Sequence, residues 1–237
     1  MPPRQAGGAG RGQQQGADDG AGPSTSSATF PEYVAFTLGQ AIISEGWLPE
    51  VDVKAMVRRL AQRRDDSAYK DVLAKLQKDT HFLGLAIERI KFPWNDEWYV
   101  CVVDKEKDEA AKQMGAKYNP DEVQYFRSVV EALCEAQPQE EGGLLAAVSQ
   151  IALKTLDVQR QGQQASQAAG SQAAAKARKL SQMDKEAALK AFAQDGWLHQ
   201  PQQGYYTLGP RALGELKDWI LSLVPAEIAE KLQTDYM

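Results

Sequence analysis

Residues 180–222 constrain the fold more tightly than any other stretch of this sequence. Ser181 stands where a helix would be capped, with Asp184 three residues on as a reciprocal partner. Ala188, Leu189 and Phe192 then fall on one helical face. Asp195-Gly196 stops that helix, because glycine supplies the left-handed residue a helix end needs. Trp197-Leu198 and Tyr205-Tyr206 flank the turn-rich run Gln200-Pro201-Gln202-Gln203-Gly204, which is the pattern of a β-hairpin. After Gly209-Pro210, the residues Leu213, Leu216, Trp219, Ile220 and Leu223 make one apolar stripe, so a second helix is expected to run to Ser222.

Helix, two-stranded wing and helix make the back half of a winged-helix domain, and the front of the chain repeats the idea. Val34, Phe36, Leu38, Ala41, Ile42 and Ile43 predict a mostly buried helix, with Pro31 in its first turn. Glu45-Gly46-Trp47-Leu48 stops it and echoes Asp195-Gly196-Trp197-Leu198, which points to two copies of one domain type. Pro49 starts a second helix with Val53, Met56, Val57 and Leu60 on its apolar side. A third is expected over 69–78, and residues 82–92 and 97–103 read as two strands joined by the turn Pro93-Trp94-Asn95-Asp96. Residues 104–115 predict a charged joining helix. Asn119-Pro120-Asp121-Glu122 is the clearest helix start in the chain, and Pro138 is the expected stop. Gly142-Gly143 is expected to open the next helix, carrying Leu144, Leu145, Val148, Ile151, Ala152 and Leu156.

The fold class is therefore mainly α with short β-hairpins (α+β), as tandem winged-helix domains. Residues 1–29 are a low-complexity, disordered N-terminus; 30–116 are the first domain and linker; 117–224 are the second; 225–237 are a tail helix. The Gln/Ala-rich run 158–179 reads as a flexible insertion in the second domain. It separates that domain's second helix from its third, the one a DNA reader would place in a groove, and so argues against sequence-specific reading.

The chain has 237 residues and a formal charge of −5, and no apolar run reaches the length of a membrane span. Two cysteines, Cys101 and Cys134, and two histidines, His81 and His199, cannot build a disulfide framework or a zinc site. No nucleophile elbow, phosphate loop, dinucleotide fingerprint or metalloprotease helix is present, so no catalytic, cofactor or metal residue is assigned. Lys54, Arg58, Arg59, Arg63 and Arg64 form a basic stripe that phosphates would bind without regard to sequence. Trp94, at a hairpin tip, is the candidate partner contact. Trp47, Trp98, Phe126, Phe192, Trp197, Tyr205, Leu216 and Trp219 are the expected structural core.

Lys117-Tyr118-Asn119-Pro120-Asp121-Glu122 through Phe126, Gly196-Trp197-Leu198, and Tyr206-Thr207-Leu208-Gly209-Pro210-Arg211-Ala212-Leu213-Gly214-Glu215-Leu216 together resemble the non-SMC element one family. The strand Glu88-Arg89-Ile90-Lys91 and the run from Trp98 to Val103 are similar to that family's first hairpin. The resemblance spans roughly residues 33–232 without the insertion. It implies tandem winged helices in a nuclear hetero-oligomer with a MAGE-type subunit and the kleisin of the SMC complex of the five/six type, acting in DNA repair and recombination. It also implies a RING-type ubiquitin-ligase module folded by zinc. This sequence, read to Met237, holds no such cysteine-rich module, so the chain as given is expected to be inactive as a ligase on its own. The alternative reading is a DNA-binding winged-helix regulator working through the basic stripe or the wing at 197–207.

Overall fold

The computed structural model describes residues 30–105, 114, 117–138, 143–156 and 180–237. The low-complexity N-terminus (1–29) expected to be disordered, most of the joining helix expected at 104–115 and the insertion expected at 158–179 lie outside the described residues.

Helix α1 (Glu32–Glu45) starts behind Pro31, which caps it in an extended conformation instead of entering its first turn. Gly46, at φ 79°, closes it by donating its N–H to the Ile42 carbonyl. Strand β1 (Trp47–Pro49), helices α2 (Glu50–Leu60) and α3 (Tyr69–His81), and strands β2 (Leu85–Lys91) and β3 (Trp98–Asp104) complete the first unit. Its sheet is antiparallel in the order β1-β3-β2, with Trp47 opposite Cys101 and Leu85 opposite Asp104.

The second unit repeats this order. Helix α4 (Pro120–Glu135) begins with a complete capping box, Asn119 accepting from the Glu122 N–H while Glu122 accepts from that of Asn119. Strand β4 (Val148–Ser149) and helix α5 (Gln150–Thr155) precede α6 (Gln182–Gln194), which Ser181 and Asp184 cap in the same reciprocal way. Strands β5 (Leu198–His199) and β6 (Tyr205–Leu208) pair with β4 in the order β4-β6-β5. Helices α7 (Pro210–Glu215), α8 (Lys217–Leu223) and α9 (Ala226–Asp235) end the described chain. The mainly helical α+β class read from the sequence is the class observed.

The sheet of the first unit serves two cores. Side chains alternate across a strand, so Val100 joins Val34, Leu38, Ile42, Val53, Val57, Val72 and Leu76 beneath α1–α3. Its neighbours Tyr99 and Cys101, with Ile90 of β2 and Phe92 just beyond its end, face the other way and join the core of the second unit, around Phe126, Phe192, Trp197 and Leu216. The two units are thus fused through a shared apolar layer.

Several expectations need correction. Strands β1 and β4 were not legible, because two or three residues cannot show an alternation. The helix expected from Gly142-Gly143 starts only at Gln150, where the Ser149 hydroxyl accepts from the Ala152 N–H; Leu145, Ala146 and Ala147 are buried without helix. The stripe from Leu213 to Leu223 is two helices, broken at Leu216. Helix α7 packs on β2 and β3 of the first unit while α8 packs on α4, and one straight helix cannot meet both surfaces. Of the expected core, Phe126, Phe192, Trp197 and Leu216 are buried, but Trp98 is 40% exposed, and Trp47, Tyr205 and Trp219 are only partly buried. Phe36 (67% exposed) and Ile43 (46%) also point outward, although the helix they belong to packs its other face.

Candidate partner-binding surfaces

The basic stripe lies along α2 and the turn after it, and most of it is engaged within the chain. Lys54 Nζ is 3.0 Å from Glu50 and lies over the Tyr69 ring. Arg58 pairs with Asp66 at 3.3 Å. Arg63 donates to the Ser67 hydroxyl, which in turn donates to Asp65 at 2.6 Å. The Ser67 hydroxyl and N–H hold Asp65 below the usual carboxylate range. Arg59 and Arg64 are exposed beside these groups. Carboxylates interleaved in this way cancel much of the field a phosphate chain would feel.

Glu50 explains part of this arrangement. It is 5% exposed, and burial alone would raise its pKa. Donors from Tyr69 (2.7 Å), Lys54 and Arg89 (2.6 Å) more than offset that, and the carboxyl falls below its ordinary value. Arg89 also lays its guanidinium 4.6 Å from the Trp98 ring centre. The strand register permits this, since Trp98 faces Lys91, next but one to Arg89 on the same sheet face. Trp98 is therefore an exposed plate under a cation, not core. Sequence reasoning missed it because a run of β-formers does not show which face is covered.

The hairpin tip and the wing, read separately from the sequence, meet. Trp94 is 39% exposed, and its ring lies 6.5 Å from that of His199. Phe92 packs edge-on against the same imidazole at 5.1 Å. Burial between them lowers the His199 pKa.

The two echoing tetrapeptides also face each other. Gly196 lies against the Trp47 indole so closely that a Cβ there would overlap the ring. Gly46 faces the Arg211 guanidinium, 2.6 Å from where its Cβ would be. Arg211 is itself stacked 4.3 Å over Trp197 and ion-paired to Glu215. Cys101 lies in this joint, its Sγ 3.7 Å from the Pro210 carbonyl. The tail closes the joint from outside, where the Lys91 N–H donates to the Tyr236 carbonyl at 2.8 Å.

Neither cysteine fits a zinc centre. Burial raises the Cys101 thiol strongly and pushes Cys134 up to about 12. Among the described residues no three His, Cys, Asp or Glu side chains come together as a metal site. Helix α6 turns Met183, Ala187, Lys190 and Gln194 outward, and Glu186 takes both Lys190 and Lys154 at 3.0 Å. That face is close to neutral. Besides Trp94 and Trp98, the large exposed apolar side chains lie on α1 (Tyr33, Phe36, Ile43), at the start of α2 (Val51), after α3 (Phe82, Leu83), and on α5 and α6 (Ile151, Met183).

Comparison with solved structures finds this chain similar to one described as an Nse1-Nse3-Nse4 complex, with a TM-score of 0.61 at 20% identity, covering 79% of this chain and 72% of that one. At that identity the likeness is one of fold. Comparison with curated protein sequences returns no match. Residues 37–216, well over half of the sequence, match the family model for the Nse1 non-SMC component of the SMC5-6 complex, and the chain belongs to that family.

Proposed function

We propose that the chain is a non-catalytic assembly subunit of the SMC5-6 complex, in which two winged-helix units grip a MAGE-type subunit and, with it, the kleisin. The observation that carries this reading is the family match over residues 37–216. The similar solved structure is of an Nse1-Nse3-Nse4 complex, which supports the same partners here. The repeated order of helix, strand, two helices and two strands supports the winged-helix assignment of each unit. The shared core supports a platform that presents both units to a partner in one relative orientation. A nuclear role in DNA repair and recombination follows from membership of such a complex. Ubiquitin-ligase activity would need a zinc-held module, and none of the described residues fits one.

The alternative, a regulator that binds DNA through the stripe at residues 54–64, draws less support, since Lys54, Arg58 and Arg63 are held by Glu50, Asp66 and Ser67. Co-expression of the full chain with a MAGE-type subunit, followed by size-exclusion chromatography with light scattering, tests the proposal. A one-to-one complex is the expected result; two separate peaks would overturn it. A duplex titration across salt concentrations then tests the alternative, which requires a steep slope that Arg58→Glu plus Arg59→Glu removes.

A further inference from the structure

We propose that Arg89 and Trp98 form a docking point for an acidic segment of a partner protein. Such a segment sets an aspartate or glutamate carboxylate on the Arg89 guanidinium and an apolar side chain on the open part of the Trp98 ring. The inference goes beyond the assembly reading and needs none of the partners named there.

Arg89 is fixed in place and only partly engaged. Its Nε donates to Glu50 Oε1 at 2.6 Å, and its guanidinium carbon lies 4.6 Å from the centre of the Trp98 ring. Of its three nitrogens, Nε alone is bound to a carboxylate among the described residues, and the side chain is 45% exposed. The two contacts hold the plane of the guanidinium, so a ligand meeting its terminal nitrogens has less side-chain freedom to freeze. Trp98 is 40% exposed and supplies apolar surface beside the charge. Arginine and tryptophan are the residue types that most often dominate binding at an interface.

Charge decides what the pair accepts. Glu50 is one carboxylate between two cations, since Lys54 Nζ takes its other oxygen at 3.0 Å. The cluster is therefore net positive. Carboxylates of the adjoining hairpin do not redress this: Asp96 pairs with Lys91 at 2.9 Å, and Glu97 accepts from Asn95 at 3.0 Å. A planar guanidinium with donors to spare is the match for a carboxylate. Two other occupants fit worse. A nucleic acid needs a row of open cations and a bare ring to stack a base on, and here one cation is open and Arg89 lies over the ring. An added β-strand needs an open edge. Strand β2 is an edge strand, but the outward N–H groups of Ile87 and Lys91 already donate to Gln77 Oε1 and the Tyr236 carbonyl, both at 2.8 Å.

The test uses the full chain and three labelled probes of equal length. One is a helical peptide with glutamates beside leucines, one is the same peptide with glutamine for every glutamate, and one is a single-stranded oligonucleotide. Anisotropy should show the glutamate peptide binding about tenfold or more above the other two. Arg89→Lys keeps a cation for Glu50 and loses the planar fork, while Trp98→Thr keeps a β-former and loses the ring. Each should cost about fivefold or more in affinity for the glutamate peptide, with circular dichroism unchanged. Lys70→Gln removes an exposed cation on α3 and should cost about twofold at most. Equal binding of the glutamine peptide, or full binding by both Arg89→Lys and Trp98→Thr, would overturn the docking point. So would a loss in Lys70→Gln as large as that in Arg89→Lys, since attraction would then be general. Tighter binding of the oligonucleotide, lost in Arg89→Lys, would assign the pair to nucleic acid and overturn it as well. If the peptide pattern fails while a MAGE-type subunit still pairs, only the docking point falls; if the pattern holds and no such subunit pairs, only the assembly reading falls.

Discussion

The two units share an order of elements and fill it with different side chains. Under α1–α3 the core is aliphatic, with Phe30 and Tyr69 as its aromatic members. Around α4 and α6 it is aromatic, with Phe192 touching Tyr118, Tyr125 and Phe126, and Phe126 touching Trp197. The same difference appears in the two echoing turns. Trp197 is 1% exposed and belongs to the core of its own unit. Trp47, in the matching place, is partly buried and reaches across to Gly196 of the other unit. One local pattern thus does two jobs: in the second unit it closes a core, and in the first it makes the joint. The lesson is that a repeated motif preserves backbone geometry at the turn and leaves the direction of its burial to the surroundings.

The largest effect should come from the two tryptophans. Trp197→Ala is expected to cost about 3–5 kcal/mol, the range for emptying a buried aromatic site. Trp47→Ala should cost about 1–2 kcal/mol, because part of its ring is already in water. Denaturant melts of both variants give the comparison directly, and equal costs would erase the distinction drawn between core and joint.

Next is the joint itself. Gly196→Ala combines a left-handed φ of 77° with overlap on Trp47, and a loss of about 2–4 kcal/mol is expected. In a Trp47→Ala background the overlap vanishes and about 1–2 kcal/mol should remain, from backbone strain alone. A double-mutant cycle that shows no coupling would mean that the two turns do not touch. Gly46→Ala is the milder counterpart, about 1–2 kcal/mol, since the group it meets is the flexible end of Arg211 and not a ring. Asn119→Ala should cost about 1 kcal/mol by opening the capping box of α4, with no effect on the joint.

The smallest effect concerns His199, at the second contact between the units. Burial holds its imidazole below the ordinary value of 6.5. Across the window from 6.5 down to the folded pKa, the unfolded chain takes up a proton that the folded chain refuses. Stability should therefore fall as pH drops through that window, and His199→Gln should flatten the dependence. A profile with the same slope in both proteins would place the titrating group elsewhere.

How much of this was legible varies by element. The ends of α1, α4 and α6 could be read because Gly46, Asn119 and Ser181 act on their own backbone within three or four residues. Strands β2 and β3 could be read because a seven-residue run rich in β-formers, bounded by turn residues, is long enough to see. Strands β1 and β4 could not, since they exist only by pairing with β3 and β6. The candidate surfaces fared worse. The stripe at residues 54–64 is visible as a row of cations, but the partners that occupy it come from Glu50, Asp66 and Ser67, on other turns of the chain. Trp98 looked like core because nothing in its own strand reveals that Arg89 lies over it in the open.

By itself, the sequence determined where helices begin and end, which runs prefer to be strands, and that one turn pattern occurs twice. Those properties depend on caps, φ preferences and β-formers acting over a few residues, so they survive without a fold around them. Only the tertiary structure decided which tryptophan is core and which is joint, that the sheet of the first unit feeds two cores, that the last stripe breaks at Leu216, and that α1 keeps an apolar face in water. Each of these depends on which distant surface a side chain meets, and burial is a property of the packed whole that no local pattern encodes.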